Sequence, residues 1–121
     1  MVCGESRMIA VIFEVETLEG QQGNYLEFAR KLLPLVEKIE GFISIERFES
    51  LANPGKILSL SFWRDEKAIA EWRNISEHRQ AQHEGRQSIF SNYRIRIADI
   101  TRDYGMHKTN ESPQDSKEFH A

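Results

Sequence analysis

Four stretches of the chain carry the dense apolar residues that are typical of β-strands. The first is residues 8–15 and the second is residues 42–49, and both are rich in branched or aromatic side chains. The third, residues 57–63, is an almost continuous apolar run, which predicts a strand with both faces buried. The fourth, residues 93–101, alternates isoleucine with arginine, which predicts a strand with one apolar side.

The first helix is predicted between the first two strands, where apolar residues recur at helical spacing. Asn24 is a candidate N-cap, the apolar stripe continues to Ile39, and Gly41 ends the helix. Pro34 falls inside this stretch, and proline removes one hydrogen bond and crowds the preceding turn. We therefore expect a kink near residues 30–33, or a break with Pro34 opening the second piece.

The second helix is predicted after the third strand. The carboxylate of Asp65 can accept the free N–H groups of a first helical turn, and an apolar stripe then runs to Trp72. Asn74, followed by Glu77, has the form of a second capping box. The helix should therefore stop and restart, with a new segment over about residues 75–84.

The order of these elements is strand, helix, strand, strand, helix, strand, which is typical of the ferredoxin-like α+β fold. Its two helices cover one face of a four-stranded antiparallel sheet. The first and third strands, however, carry apolar side chains at successive positions, so both of their faces need burial. The simplest cover for the second face is another copy of the same sheet, and the sequence therefore predicts a homodimer.

The chain divides into three segments. Residues 1–7 are predicted to be a loose N-terminal leader, and residues 8–103 form the α+β domain. Residues 104–121 are a polar tail that cannot bury enough apolar surface to offset its ordering entropy, so we expect this tail to be disordered.

Composition narrows the range of partners and locations. A net charge of −3 gives no electrostatic reason to expect binding to nucleic acid or to an anionic membrane. The single cysteine, Cys3, excludes an internal disulfide and a cysteine-based zinc site. No stretch approaches the ~20 apolar residues of a membrane span, and the first residues lack a signal pattern. The expected location is the cytoplasm.

A run of residues from the third strand to the fourth matches a known family. Its parts are Phe-Trp-Arg-Asp at 62–65, Ala-Ile-Ala-Glu-Trp-Arg-Asn at 68–74, Ser-Glu-His-Arg at 76–79, Ala-Gln-His-Glu-Gly-Arg at 81–86 and Tyr-Arg-Ile-Arg-Ile at 93–97. On these residues the chain resembles the antibiotic biosynthesis monooxygenase (ABM) domains. The resemblance implies a homodimer in which the sheets of two chains pack together as a dimeric α+β barrel.

One subgroup of the family oxidises aromatic polyketides to quinones without metal or flavin, using the deprotonated substrate as the partner of oxygen. Its members hold the substrate with an Asn and a Trp placed four residues apart on the third strand. Trp63 matches this Trp, whereas Ser59 stands at the position of the Asn. A hydroxyl can donate one hydrogen bond but lacks the second group of the amide.

A second subgroup degrades haem. Its members use an Asn on the first strand, a Trp on the second helix and a His that ligates iron. Trp72 matches the Trp, Phe13 stands at about the position of the Asn, and His83 lies one residue further from the Trp than the pattern requires. The resemblance therefore leaves haem open as a cofactor, with His83 as its ligand.

The spacing of the two central histidines argues against a metal site that uses both. His78 and His83 are five positions apart, which is about 140° of rotation on a helix, so they do not share a face. Either could ligate haem iron or move a proton. The alternative is a surface role for His78 and a favourable interaction of His83 with the helix dipole. Trp63 and Trp72 could likewise serve only as core or interface aromatics.

Together these features predict a monooxygenase-like enzyme that oxidises a small aromatic or quinonoid compound without a tightly bound metal or flavin. The predicted catalytic residues are His78, Asn74 and Trp63, and the predicted substrate-binding residues are Trp72, Phe13 and Ser59. In this interpretation His78 is the acid–base group, while Asn74 and Ser59 orient a carbonyl or phenolate. Two alternatives stay open: a haem-binding or haem-degrading protein, and a non-catalytic dimeric module that binds a small molecule.

Overall fold

The computed structural model describes residues 8–75, 79–80, 83 and 88–119. In chain order the elements are β1 (Ile9–Thr17), α1 (Gln22–Val36), β2 (Phe42–Glu49), β3 (Lys56–Trp63), α2 (Glu66–Arg73), β4 (Phe90–Asp99) and a short α3 (Gln114–Phe119). The first six reproduce the predicted order, and the ferredoxin-like α+β fold is confirmed.

The four strands form one antiparallel sheet in the order β2-β3-β1-β4. The register places one residue from each strand in a single row across the sheet. Ser59 of β3 lies opposite Arg47 of β2 and Phe13 of β1, and Phe13 in turn lies opposite Ile95 of β4. Because alternate side chains of a strand point to opposite faces, these four side chains share one face.

The two faces of the sheet have different surroundings, and we call the face that α1 and α2 cover the helix face and the other the outer face. Ile9 and Trp63 pack on the helix face against Val36 of α1 and Ala68 of α2. A second buried cluster on this face contains Val15, Tyr25, Ile57 and Ile89. The core of the chain therefore lies between the sheet and its helices.

Strand β3 shows the difference between the faces most clearly. Its burial alternates along the strand: the odd-numbered residues from Ile57 to Trp63 are buried, and the even-numbered ones from Lys56 to Phe62 are only half-buried. The apolar run predicts burial on both faces. Within one chain the helices supply it on the helix face alone.

The start of α2 confirms the predicted cap. The Asp65 carboxylate accepts a hydrogen bond from the backbone N–H of Ala68 at 2.9 Å, and Arg64 lies 3.1 Å from the other carboxylate oxygen. The hydrogen bond from Ala68, and then the one from Arg64, hold the pKa of Asp65 below its ordinary value. The predicted reason for the helix start is therefore the observed one.

The details of α1 differ from the prediction. The helix begins after Gln21, and Asn24 lies inside the first turn, where its amide donates to Gln21 Oε1 at 2.7 Å instead of capping the helix. The predicted break at Pro34 is wrong, because α1 continues through Pro34 to Val36, and the alternative of a kink near residues 30–33 stays a prediction. Pro34 stands in the last turn, so the hydrogen bond that proline cannot donate is lost close to the end of the helix.

The helix ends at Val36, before the predicted stop at Gly41, and Gly41 turns the chain into β2. Its φ is +100°, a left-handed conformation that glycine adopts without steric cost. A Cβ added there would lie 2.9 Å from the Cβ of Ala68, so α2 also packs directly against this glycine. The residue thus permits both the turn and the close approach of α2 to the sheet.

The polar segment after β4 contains α3 and several local contacts, among them Lys108 Nζ to Asp103 at 3.3 Å and Lys117 Nζ to the carbonyl of Asn110 at 3.2 Å. Most of its described side chains are exposed. The disorder expected for residues 104–121 stays a prediction. No helix in the described part of the chain is long and apolar enough to cross a membrane.

Candidate functional site

A cavity of about 310 Å³ lies between the helix face of the sheet and the two helices. Its floor comes from all four strands. Its roof consists mainly of apolar side chains of α1, namely Tyr25, Phe28, Ala29, Leu32, Leu33 and Val36. The end of α2 contributes Ile69, Trp72 and Arg73 to the lining. Most of this surface is apolar, as in binding sites for small molecules, where a few polar groups fix the orientation of the ligand.

One end of the cavity is built around the two tryptophans. Trp63 is only 2% exposed, its Nε1 donates to Ser61 Oγ at 2.9 Å, and its ring meets Phe42 in a T-shaped contact with centroids 5.2 Å apart. These contacts fix the plane of the indole. Trp72 is half-buried, packs against the same core cluster and lines the cavity from α2. The pair offers flat aromatic surface at a fixed position.

The other end is an aromatic cluster around Phe13. The ring centroid of Phe13 lies 6.5 Å from Tyr25, 5.9 Å from Phe90 and 5.9 Å from Tyr93. Tyr25 and Phe90 also meet edge to face at 5.9 Å. Ring pairs at such distances and angles stabilise the cluster beyond their buried area, so this end of the cavity is also well defined.

The polar groups on the cavity floor lie on β2 and β3. Ser59 and Ser61 are 6% and 5% exposed and line the cavity. Arg47, opposite Ser59 in the register, donates from Nε to the Tyr25 hydroxyl at 3.3 Å, and its Cζ lies 5.8 Å from the Tyr25 ring centroid. Among the described lining residues there are two arginines, two serines and one tyrosine, but no carboxylate.

The structure brings four of the predicted site residues together at this cavity: Phe13, Ser59, Trp63 and Trp72. Asn74 is not among the lining residues. It is exposed at the end of α2, where its amide nitrogen donates to the Ala70 carbonyl at 2.8 Å and its oxygen accepts from Arg79. Because both ends of this amide are engaged away from the cavity, its position does not support a role in orienting the substrate.

Of the two predicted histidines the structure describes only His83, which is not among the lining residues of the cavity. His78 lies outside the described residues, as does Glu77 of the predicted capping box, so the acid–base role of His78 stays a prediction. The backbone is helical at Arg79, Gln80 and His83, and the side chain of His83 is exposed.

The described residues provide few ligands for a metal or for haem iron. Within residues 8–75, 79–80, 83 and 88–119, no group of three or more His, Cys, Asp or Glu side chains is placed to hold a metal ion. The described lining contains no His, Cys or Met, and the exposed His83 is not part of it. On the described residues, the cavity does not fit haem ligation by His83.

Sequence reasoning missed Arg47, Tyr25 and Ser61 as cavity residues. The signal for Arg47 lay in the period of the strand, since Ile45 and Arg47 are two positions apart and so share a face. Ser61 could have been found in the same way, because it shares a face with Ser59 and Trp63. Tyr25 stood in the apolar stripe of α1, where its hydroxyl carried no separate signal.

Comparison with known proteins agrees with the fold. Residues 8–84 match the antibiotic biosynthesis monooxygenase family. The chain is 45% identical over 94 residues to the jasmonate monooxygenase ABM of Pyricularia oryzae, a match that covers 78% of this chain but only 44% of that protein. It is 31% identical over 93 residues to the uncharacterized protein YqjZ of Bacillus subtilis, covering 77% of this chain and 79% of YqjZ.

Among solved structures, the fold is similar to that of protein SO0527 from Shewanella oneidensis, with a TM-score of 0.71 at 15% identity. That similarity covers 78% of this chain and 91% of the other, and at this identity it concerns the fold alone. The family match spans most of the α+β domain, and the two sequence relatives align over more than three quarters of the chain. The chain therefore belongs to the antibiotic biosynthesis monooxygenase family.

Proposed function

We propose that this protein is a monooxygenase that oxidises a small aromatic or quinonoid ring compound in the cavity beneath α1, without a tightly bound metal or flavin. The observation that carries the proposal is the cavity itself: about 310 Å³, mostly apolar, with two tryptophans at one end and hydroxyls on its floor. A ring compound fits such a site because its faces can stack on the indoles while a single oxygen meets a polar group.

Four of the described lining residues have distinct roles in this proposal. Trp63 and Trp72 hold the ring, and Phe13 closes the opposite end. The hydroxyl of Ser59 donates a hydrogen bond to a carbonyl or phenolate oxygen of the substrate. Fixed walls of this kind hold the substrate in one orientation, which lowers the entropic part of the barrier.

The reaction needs no external reductant when the substrate itself supplies the electrons. A ring methylene that is conjugated with a carbonyl through aromatic rings, as in an anthrone, loses a proton to give an electron-rich enolate, which can reduce oxygen directly. One atom of the oxygen molecule becomes the new ring carbonyl, and the other leaves as water with the two methylene hydrogens, so no further reductant is needed. The protein would bind the enolate, stabilise its oxygen and exclude water. The described lining offers no carboxylate or histidine to take the proton.

The name of the Pyricularia relative extends the range of substrates to jasmonate, whose ring is alicyclic. Inserting one oxygen atom into a C–H bond of such a ring consumes two additional electrons, which a separate reductant must supply. Oxygen uptake with and without added reductant therefore separates the two reaction types.

We also propose that the protein is a homodimer that forms through the outer face. This face carries half-buried Ile12, Leu58, Leu60 and Phe62, and Phe48 is 43% exposed beside them. A contiguous apolar patch of this kind on a sheet is typical of an interface. A second copy of the same sheet offers a matching surface, since a two-fold interface is self-complementary.

The test is oxygen consumption by the purified protein with an anthrone, corrected for spontaneous oxidation, and with jasmonate in the presence and absence of reduced nicotinamide. We expect one oxygen molecule consumed per anthrone and one atom from isotopically labelled oxygen in the product. Trp63→Phe should lower kcat/KM by about 10- to 100-fold, because it removes the bond to Ser61 and shifts the aromatic wall. Tyr104→Phe, at an exposed position after β4, is the matched aromatic control.

The outcomes distinguish the alternatives. Saturable ligand binding without oxygen consumption across both substrate types would contradict the proposal and favour a non-catalytic binding module. A saturable haem spectrum lost in His83→Ala would instead favour the haem-binding alternative.

A further inference from the structure

Among the described residues, the floor of the cavity carries a positive charge and no negative charge. Arg47 is half-buried on the helix face of β2 and lines the cavity. Among the described lining residues no carboxylate accompanies it. A guanidinium keeps its positive charge at any physiological pH. A partly buried charge without a counterion is costly, so its presence on an apolar floor calls for an explanation.

The hydrogen bonds of Arg47 leave most of its donors available. A guanidinium has five N–H donors, and Arg47 uses Nε for the Tyr25 hydroxyl at 3.3 Å. Within the described part of the chain, no carboxylate forms an ion pair with Arg47. By contrast, Arg30, Arg64 and Arg96 each pair with a carboxylate at the surface.

Tyr25 fixes the direction of the Arg47 side chain. The guanidinium carbon lies 5.8 Å from the centroid of the Tyr25 ring, within the range of a cation–π contact, and Tyr25 itself is only 7% exposed. The ring and the hydroxyl of one buried tyrosine thus both contact Arg47. A guanidinium held in this way is preorganised, so binding an anion costs little side-chain entropy.

Ser59 supplies a second donor next to Arg47. The two residues are directly opposite in the antiparallel register, a relation that places Cβ atoms about 4.5–5.5 Å apart. The Ser59 side chain makes no hydrogen bond to the described residues. Because no fully buried side-chain oxygen or nitrogen among these residues lacks a partner, the Ser59 hydroxyl oxygen is not fully buried. Its hydroxyl therefore has access to the cavity and can donate to the same ligand.

Arg73 is the other cation in the lining, and its position is different. It is exposed in the last turn of α2, where a positive charge suits the helix dipole. Arg73 thus has a sufficient local role at the rim. Arg47 on the floor contacts Tyr25, but among the described residues no carboxylate or helix C-terminus balances its charge.

We infer that Arg47 and Ser59 form a carboxylate-binding subsite, so that the cavity takes small ring compounds that carry a carboxylate. Arg47 binds the carboxylate through its Nη donors, Ser59 donates to one of the oxygens, and the apolar part extends toward Trp63 and Trp72. This inference rests on the proposed function only in taking the cavity as the substrate site.

The experiment compares two ligands of nearly the same shape, 4-phenylbutanoate and its uncharged amide 4-phenylbutanamide, at pH 7. The chain contains two tryptophans, and both line the cavity, so tryptophan fluorescence reports its occupancy. In the native sequence we expect the carboxylate to bind on the order of tenfold more tightly than the amide, as for a charge-assisted hydrogen bond. Arg47→Met should remove this preference while leaving amide binding nearly unchanged.

Three controls make the result specific to Arg47. Arg73→Met removes the other lining cation, and Arg30→Met removes a surface cation of α1, so both should keep the preference for the carboxylate. Arg47→Lys keeps the charge without the planar fork and should retain part of the preference. Circular dichroism of each variant establishes that it is folded, and the Lys variant serves if the Met variant is not.

Equal binding of the carboxylate and the amide to the native protein would overturn the inference and leave the proposed cavity function intact. Loss of the preference in Arg73→Met but not in Arg47→Met would also overturn it. If neither compound changes the fluorescence up to millimolar concentrations, the inference and the assignment of the cavity as a ligand site both fall.

Discussion

The helix face and the outer face of the same four-stranded sheet differ in what they do with polar groups. On the helix face, Arg47, Ser59 and Ser61 point into an apolar cavity. On the outer face, Glu14 pairs with Lys56 at 3.5 Å and with Arg96 at 3.3 Å beside a row of half-buried apolar residues. One face leaves the Arg47 cation available to a ligand, and on the other Glu14 is paired with two cations.

The difference follows from the period of two in a β-strand. On β3, Leu60 lies on the outer face and its neighbours Ser59 and Ser61 lie on the helix face. A strand that reads as one apolar run thus contributes to two surfaces with separate roles. Substitutions at adjacent positions should therefore produce different kinds of defect, and three experiments examine this directly.

The largest effect is expected for a charge placed on the outer face. Leu60→Asp puts one carboxylate from each subunit into the proposed two-fold interface, and an uncompensated buried charge costs about 3–5 kcal/mol. The variant should therefore be monomeric by analytical ultracentrifugation at concentrations where the native protein is a dimer. Leu51→Asp, at a fully exposed turn position, is the matched control and should stay dimeric. A dimeric Leu60→Asp variant would refute the proposed interface.

The next effect concerns the helix face and is measured in the Leu60→Asp background, so that each outer face stands alone. Trp63→Ala removes an indole that is 2% exposed and should lower the free energy of unfolding by about 3–5 kcal/mol in urea denaturation. Phe62→Ala, at the next position on the outer face, should cost about 1–2 kcal/mol because the ring is only half-buried. Similar losses at both positions would contradict the assigned faces.

Most of the fold could be predicted because it depends on local patterns. The four strands follow from apolar density, and the start of α2 follows from Asp65, whose carboxylate makes the expected bond to Ala68. The break predicted at Pro34 does not occur, since proline disfavours a helix interior on average but is tolerated in this last turn. Local rules do not say where along a helix the penalty is small.

The candidate site could be predicted only in part because it depends on which residues of distant strands meet. Trp63 and Ser59 were found from their positions on one strand, whereas Arg47 enters the site through the pairing of β2 with β3. Asn74 was selected for its place at a helix break, and the structure uses that amide to close the end of α2. The type and spacing of Asn74 suggested a role in orienting the substrate, and its surroundings do not support that role.

The smallest effect is a dependence of stability on pH that belongs to the outer face. Partial loss of hydration raises the pKa of Glu14, but the hydrogen bond from Arg96 and the charge of Lys56 outweigh it, so this pKa lies below its ordinary value of 4.5. A carboxylate whose pKa is lowered by folding stabilises the folded state above its unfolded pKa. That contribution is lost as the pH falls through the folded pKa.

Glu14→Gln should therefore lower the melting temperature slightly at pH 6 and reduce the further decrease between pH 5 and pH 3. Differential scanning calorimetry at one fixed protein concentration measures both, and the concentration is held constant because dimerisation also shifts the melting temperature. Glu19→Gln removes a carboxylate from an exposed turn and should reproduce the native profile.

The cavity should respond differently, because its described lining has no carboxylate to protonate. Binding of the uncharged 4-phenylbutanamide should accordingly stay constant over the part of this pH range in which the protein is folded. A Glu14→Gln profile parallel to the native one would show that the ion pairs of the outer face do not contribute to stability.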